Sequence, residues 1–326
     1  MKVASFYRFL DLDDPKRFRD ELQTLCERHG LLGTILVANE GFNGSISGNE
    51  TDIRTIFAWI EDRLGVEQRI EARWNDVAEV PFRRMRVRLK KEIVTLGRPD
   101  ILPHRQTGTY VTATEWNRLI EDPDVLVIDT RNHYEFEVGT FPRAIDPKTD
   151  SFREFPEFAK ELAETSRNRP LAMFCTGGIR CEKATALMLE LGFDQVYHLQ
   201  GGILKYLEET PDEKNLWDGE CFVFDTRVAV DCDLAEGGYV QCHACRRPLS
   251  TEDLTSPDYR EGVSCPNCIN ELSDDRAARL EERHKQVLLA RERGDKHIGQ
   301  KLQEPAPAGD PEFTRPDPES TRSRAR

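Results

Sequence analysis

Hydrophobic positions in residues 1–98 switch between a period of two and a period near 3.6, which predicts alternating strands and helices. Val3–Phe9 reads as a strand. Pro15–His29 follows as a helix, with Phe18, Leu22, Leu25 and Cys26 on one face and Gly30 as its stop. Thr34–Ala38 and Ser45–Gly48 predict a pair of strands around the turn Asn39–Gly44. A second helix, Asp52–Leu64, aligns Ile53, Ile56, Phe57 and Ile60, and Ile70–Trp74 reads as a further strand. The order βαββαβ predicts two helices packed on an antiparallel sheet. In Arg83–Lys91 a strand period puts Met85, Val87 and Leu89 on the core face and Arg84, Arg86, Arg88 and Lys90 on the other. Like charges at every second position repel. Either acidic side chains of the same module answer them, or a polyanion docks along the strand.

Residues 99–112 hold two prolines and little periodicity, so they read as a linker. From 113 to 215 the alternation resumes: helix Thr114–Glu121, strand Val125–Asp129, helix Phe155–Thr165, strand Leu171–Phe174, strand Val196–Leu199, then Gly201-Gly202 and a helix to Glu209. This pattern predicts a mostly parallel sheet covered on both faces, with ligands at the carboxyl ends of its strands. Residues 216–300 form a smaller cysteine-bearing segment with a charged helix, Asp274–Arg293, capped by Ser273 and stopped by Gly294. The tail, 301–326, is rich in Pro, acidic residues and Arg, a composition expected to be disordered. The fold class is therefore multidomain α/β: a ferredoxin-like α+β module, a central α/β domain and a small C-terminal segment.

Composition narrows the function. A chain of 326 residues allows two or three domains, and a formal charge of −13 argues against a generally basic nucleic-acid coat while leaving local basic patches open. No apolar stretch is long enough for a membrane helix, and the N-terminus MKVASFYRF lacks the pattern of a signal peptide. Nine cysteines, an odd number, suit a reducing cytoplasm better than a disulfide framework. No membrane contact and no stable protein partner is inferred.

The chemistry concentrates in LAMFCTGGIRCEKATALMLELG, Leu171–Gly192. A buried strand ends at Phe174, and a helix with Ala184, Leu187, Met188 and Leu191 on one face follows. Between them, Thr176, Gly177, Gly178 and Ile179 can turn successive N–H groups inward as an anion nest at a helix start. Such surroundings lower a cysteine pKa from near 8.5 to roughly 3.5–7.5. Cys175 is thus a candidate nucleophile, against the plainer reading of a small buried cysteine, and Arg180 could pair with an anion received by the loop. Cys181 could resolve an oxidised Cys175 by disulfide formation, or face away from it. Further on, Cys242-His-Ala-Cys245 and Cys265-Pro-Asn-Cys268, with nineteen residues between the pairs, match a structural Zn2+ site.

Four residues between Cys175 and Arg180, with Phe174 before the cysteine, resemble the active loop of rhodanese-type sulfurtransferases, sized for a persulfide sulfur. Phosphatases on the same fold use a longer loop preceded by histidine. The resemblance to a rhodanese domain extends to Asp129-Thr-Arg131, Glu135, Gly139 and Gly201-Gly202-Ile203. Across residues 3–270 the chain resembles the bacterial tRNA uridine hydroxylases. The similarity is carried by Glu40–Asn43 with Gly44, Met85–Arg88, Ile128–Phe141, Cys175–Ala184 and Phe222–Asp225. That resemblance implies oxygen-dependent hydroxylation of the wobble uridine of tRNA at ring carbon 5. O2 would be co-substrate, and the catalytic cysteine at position 175 would carry a persulfide. No flavin, haem or non-haem iron pattern is legible. A plain sulfurtransferase is the alternative, although sulfur relay needs neither a basic strand nor a zinc segment.

Overall fold

The computed structural model describes residues 1–65, 69–77 and 80–294; the tail 301–326 and residues 295–300 lie outside the described residues. The first module runs β1 (Lys2–Phe9), α1 (Pro15–Arg28), β2 (Leu32–Ala38), β3 (Gly41–Gly48), α2 (Glu50–Leu64), β4 (Ala72–Asp76) and β5 (Met85–Leu89). Its sheet has the order β4-β1-β3-β2-β5, antiparallel except for β5, which runs parallel to β2. Alternation along the strands turns Ala4, Phe6, Ile35, Val37, Phe42 and Ile46 toward one face. There they pack against Phe18 and Leu22 of α1 and Ile53, Ile56 and Ile60 of α2. The other face carries Ser5, Tyr7, Asn43 and Ser45, all half-buried.

Two expectations shift here. Gly41 to Gly44 belong to β3 and not to the turn, because glycine permits close approach: a Cβ at Gly44 would lie 2.8 Å from the Thr34 carbonyl oxygen. Leu89, expected in the core, is 46% exposed, since β5 is an edge strand and its buried contacts end at Val87. Arg84, Arg86, Arg88 and Lys90 are all exposed, with Arg86 and Arg88 inside β5 and the other two at its ends.

The second module comprises β6 (Thr109–Val111), α3 (Ala113–Glu121), β7 (Leu126–Asp129), α4 (His133–Phe136), β8 (Gly139–Thr140), α5 (Phe155–Ser166), β9 (Leu171–Phe174), α6 (Ile179–Glu190), β10 (Val196–Leu199) and α7 (Gly202–Glu209). Its sheet, β6-β10-β9-β7, is wholly parallel. Side chains alternate between two cores. Val127, Ala172 and Phe174 face Trp116, Ile120, Ile203 and Tyr206, whereas Ile128, Leu171 and Met173 face Phe155, Ala159, Ala184 and Leu187. The stretch read as a linker, 99–112, is bound to this module. Ile101 is buried in the second of these cores, Gly108 N–H donates to Thr185 Oγ1 at 3.0 Å, and β6 closes the sheet edge. Three residues are too short a run to show strand alternation, which is why the pattern hides them.

Short pairs follow: β11 (Asp218–Gly219) with β8, β12 (Cys221–Phe222) with β13 (Ala229–Val230), and β14 (Val240–Gln241) with β15 (Pro248–Leu249). Then come α8 (Thr251–Thr255) and α9 (Asp274–Glu292), at whose start Arg276 N–H donates to Ser273 Oγ at 3.4 Å. No helix among the described residues is long and apolar enough to cross a membrane.

The first two modules meet through charge. Lys183 of α6 is fully buried, with its Nζ 2.6 Å from Glu40 Oε2 and 3.4 Å from Glu92 Oε2. Glu40 also accepts the Ile93 N–H at 2.7 Å, and Glu92 accepts the Leu96 N–H at 2.7 Å. Tyr7 crosses the same boundary and donates to Glu182 Oε1 at 2.7 Å.

Candidate active site

The reactive loop lies where β9 ends and α6 begins. Gly178 takes φ +96°, a conformation that favours glycine, and this turns its N–H onto Cys175 Sγ at 3.1 Å. The loop is braced from below. Ile203 N–H and Leu204 N–H, at the start of α7, donate to the carbonyls of Cys175 and Thr176 at 2.9 and 3.1 Å. Only glycine fits at 202, where a Cβ would come within 2.4 Å of the Cys175 oxygen. Of the four nest residues, Thr176 and Gly178 are buried, Ile179 is half-buried and Gly177 is exposed, so the loop opens to solvent at Gly177.

Cys175 is 1% exposed. Burial is the largest influence on its thiol and opposes ionisation. It is outweighed jointly by the Cys181 thiol, the Arg180 charge and the N–H groups of Cys181 and Gly178, which bring the pKa down from 9.0 to about 5. Cys181 therefore does not face away. Its thiol hydrogen-bonds Cys175, lies 3.5 Å from Thr130 Oγ1, and is pushed well above its ordinary pKa by burial and then by Cys175 itself. One sulfur is held ionised and the other protonated.

Arg180 departs from expectation. It does not await an incoming anion: its two terminal nitrogens grip Glu135 at 2.6 and 2.8 Å, and one also reaches Thr176 Oγ1 at 3.3 Å. A guanidinium this deeply buried needs a counter-charge within the fold, and fully buried Glu135 supplies it. A second buried pair, Asp129 with Arg131, sits behind it, with Arg131 stacked over Phe174 and Trp217 and bonded to the Gly139 carbonyl at 2.6 Å.

Sequence reasoning does not find the residues over the loop. The Tyr7 hydroxyl would stand 2.9 Å from a Cβ at Gly178, and both Tyr7 and Tyr110 hydrogen-bond Glu182, whose carboxyl is raised by burial despite those donors. Glu40, Glu92 and Lys183 are equally hidden. Only the unusual placement of a lysine just inside a buried helix points to them.

Elsewhere, the ligand atoms of Cys242, Cys245, Cys265 and Cys268 all lie within 4.8 Å of one another, so this tetrad could hold a metal. Among the described residues, Arg84, Arg86, Arg88 and Lys90 form no ion pair with an acidic side chain. The Arg86 pKa is lowered, by partial desolvation and then by Arg84 and Arg88 beside it.

The ionised sulfur gives a direct expectation. Thiolate absorbance of the wild type minus that of Cys175→Ser should titrate near pH 5, far below an ordinary thiol. Because the folded pKa is depressed, the ionised sulfur contributes stability above the unfolded value, and this is lost as pH falls from about 9 through about 5. A difference midpoint near 8.5 would contradict the assignment.

Comparison with known proteins agrees with this layout. Residues 1–93 match the UPF0176 acylphosphatase like domain and residues 112–209 the Rhodanese-like domain. Among solved structures, a rhodanese-like domain from Anabaena is 17% identical with a TM-score of 0.28, covering 34% of this chain and 78% of its own. A rhodanese-related protein from Thermoplasma volcanium is 22% identical with a TM-score of 0.26, covering 31% and 92%. A curated protein of Rhizobium leguminosarum bv. trifolii, tRNA uridine(34) hydroxylase, is 50% identical over 297 residues, which is 91% of this chain and 96% of that one. With half of its residues shared over nearly the whole length of both proteins, and with both domains matched, the chain belongs to the tRNA uridine(34) hydroxylase family.

Proposed function

We propose that this chain hydroxylates carbon 5 of the uridine at position 34 of tRNA, with O2 as co-substrate and Cys175 as the nucleophile. The observation that carries the reading is the sulfur held ionised in a glycine turn, in a chain half-identical to a tRNA uridine(34) hydroxylase. In this reaction the Cys175 sulfur, as thiolate or terminal persulfide, adds to carbon 6 of uracil. As the sulfur–carbon bond forms, the pair of the 5,6 double bond moves onto carbon 5 and spreads into the neighbouring carbonyl. Carbon 5 then takes one oxygen atom of O2, and an external dithiol supplies the two electrons and two protons that reduce the other atom to water. Loss of the carbon 5 proton expels the sulfur from carbon 6 and restores the double bond. The Gly178 N–H holds the sulfur's charge before attack. Arg180, fixed by Glu135, keeps a positive field beside the loop where negative charge develops. Cys181 is placed to close a disulfide with an oxidised Cys175.

The row Arg84, Arg86, Arg88 and Lys90 is the docking strip for the tRNA backbone. Its charges repeat every second residue, about 6.6–6.8 Å apart, and lack acidic partners among the described residues. The cluster of four cysteines is a structural zinc site, since four thiolates at this separation suit a tetrahedral, closed coordination that would hold two turns together. Acting on tRNA, and carrying nine free cysteines, the chain works in the reducing cytoplasm.

Mass spectrometry of tRNA nucleosides tests the reaction. Cells lacking the gene should lose 5-hydroxyuridine, and wild type but not Cys175→Ser should restore it. Unchanged nucleosides together with thiosulfate turnover would favour a persulfide-relaying sulfurtransferase, the alternative suited to a loop of this size. For docking, Arg86→Gln combined with Arg88→Gln should weaken binding to every tRNA and flatten the slope of log affinity against log salt by about one to two units. Turnover at saturating tRNA should persist. An unchanged slope would remove the strip from the interface. Metal analysis should find about one zinc per chain, and its removal should open residues 240–270 to protease. A metal-free protein protected there would overturn the zinc site.

A further inference from the structure

Phe224 is the most exposed large hydrophobic side chain among the described residues, with 71% of its surface open. The tip that carries it is pinned by the pairing of β12 with β13. Val223 N–H donates to the Val228 carbonyl at 2.8 Å, Arg227 Nη2 clamps Asp225 at 2.7 Å, and Val228 accepts φ +65° to close the turn. The ring packs edge-on against Phe222, with centroids 5.0 Å apart, and Phe222 packs in turn against Tyr134 at 5.3 Å. From this fixed base the Phe224 ring lies 5.9 Å from the guanidinium carbon of Arg180. Arg180 bonds Thr176 and lowers the Cys175 pKa. An apolar ring is thus held in water, on a rigid tip, one side chain away from the reactive sulfur.

We propose that Phe224 is the stacking platform for the uracil ring of the target nucleotide, an inference that rests on the hydroxylase reading above. A uridine stacked within an anticodon loop hides its faces against its neighbours. Bringing carbons 5 and 6 to a sulfur that is 1% exposed requires that the base be splayed out, which leaves a face unpartnered. A phenyl ring supplies that face without reading hydrogen bonds, and its six-membered outline matches a pyrimidine. The Arg180 guanidinium over the ring adds a cation–π contact that steadies the platform. Phe224 binds and orients; it takes no proton and forms no bond. The segment Phe222–Asp225 thereby gains a role that neither the loop nor the basic strand supplies.

The test uses the full chain with Phe224→Ala, Phe224→Leu and Phe224→Trp. The Ala and Leu variants should lose about 10- to 100-fold in kcat/KM for hydroxyuridine formation, while Trp stays close to wild type. Leu keeps the apolar bulk without a π face, so wild-type turnover by Leu would overturn the proposal even if Ala fails. The second readout needs no turnover. Fluorescence of the F224W protein, after subtraction of the four native tryptophans measured in wild type, is followed with anticodon stem-loops. A stem-loop with uridine at position 34 should quench it, and one with an abasic sugar there should bind without quenching. Equal quenching by both, or by neither, would overturn the stacking role. Absence of hydroxyuridine from the wild-type reaction would instead count against the hydroxylase reading and leave the fluorescence result to stand by itself.

Discussion

The architecture depends on one buried cation. Lys183 has no access to water, and an ammonium in that position costs several kcal/mol unless carboxylates face it directly. Glu40 and Glu92 do so, one from the hairpin between β2 and β3 and the other from the segment after β5. Each carboxylate is committed in turn to backbone N–H groups, so neither can move without leaving a second buried group unpaired. Removing one member of such a cluster costs about 3–5 kcal/mol, enough to undo a marginal interface. Lys183 lies one turn inside the helix whose first residues form the reactive loop. The first module is therefore fixed to the Cys175 loop itself, not merely to the domain that carries it.

That coupling explains why the polar face of the first sheet meets the site. Tyr7 reaches Glu182, and Ile179 packs with Phe9, Ala38 and Ile93, so the first module roofs the loop beside Cys175. Charge inside is already balanced. Arg180 is matched by Glu135 and Arg131 by Asp129, each pair with its carboxylate fully buried. The sulfur's charge then rests mainly on dipoles and a neighbouring thiol, helped by a cation that cannot leave. Preorganised groups of this kind need no rearrangement when charge moves during a reaction.

What the sequence reveals is local. The turn after Cys175, the four paired cysteines, the helix faces of α1 and α2 and the Ser273 cap are each written within a few residues. The structure forms that turn, those faces and that cap, and gathers the four cysteines into a set that could hold a metal. What it conceals joins distant positions. Lys183 and Glu40 are 143 residues apart, and Arg180 and Glu135 are 45 apart, so no periodicity links them. Arg180 reads as the partner of an external anion because a sequence does not show which cation is buried beside which carboxylate. Gly41 and Gly44 look like turn residues because glycine marks both turns and close strand contacts, and only the neighbouring strand separates the two. Leu89 obeys the strand period and still misses the core, since alternation fixes a face but not whether a helix covers it.

The same reasoning bears on specificity. A site whose two buried arginines are already matched by carboxylates offers an incoming nucleotide no strong ionic grip at the loop. Selection must come from the periphery, where three separate segments bear exposed features: the basic edge of β5, the Tyr110 ring at the edge strand β6, and the Phe224 ring on the β12–β13 tip. Backbone charge there supplies affinity without sequence information, and exposed rings reward any base that can leave its stack. On the reaction proposed above, discrimination for uridine would fall to the chemistry at carbon 6, which demands an electrophilic pyrimidine within reach of an almost closed sulfur. Under that proposal, recognition of RNA would lie on the surface and recognition of the base in the reaction itself.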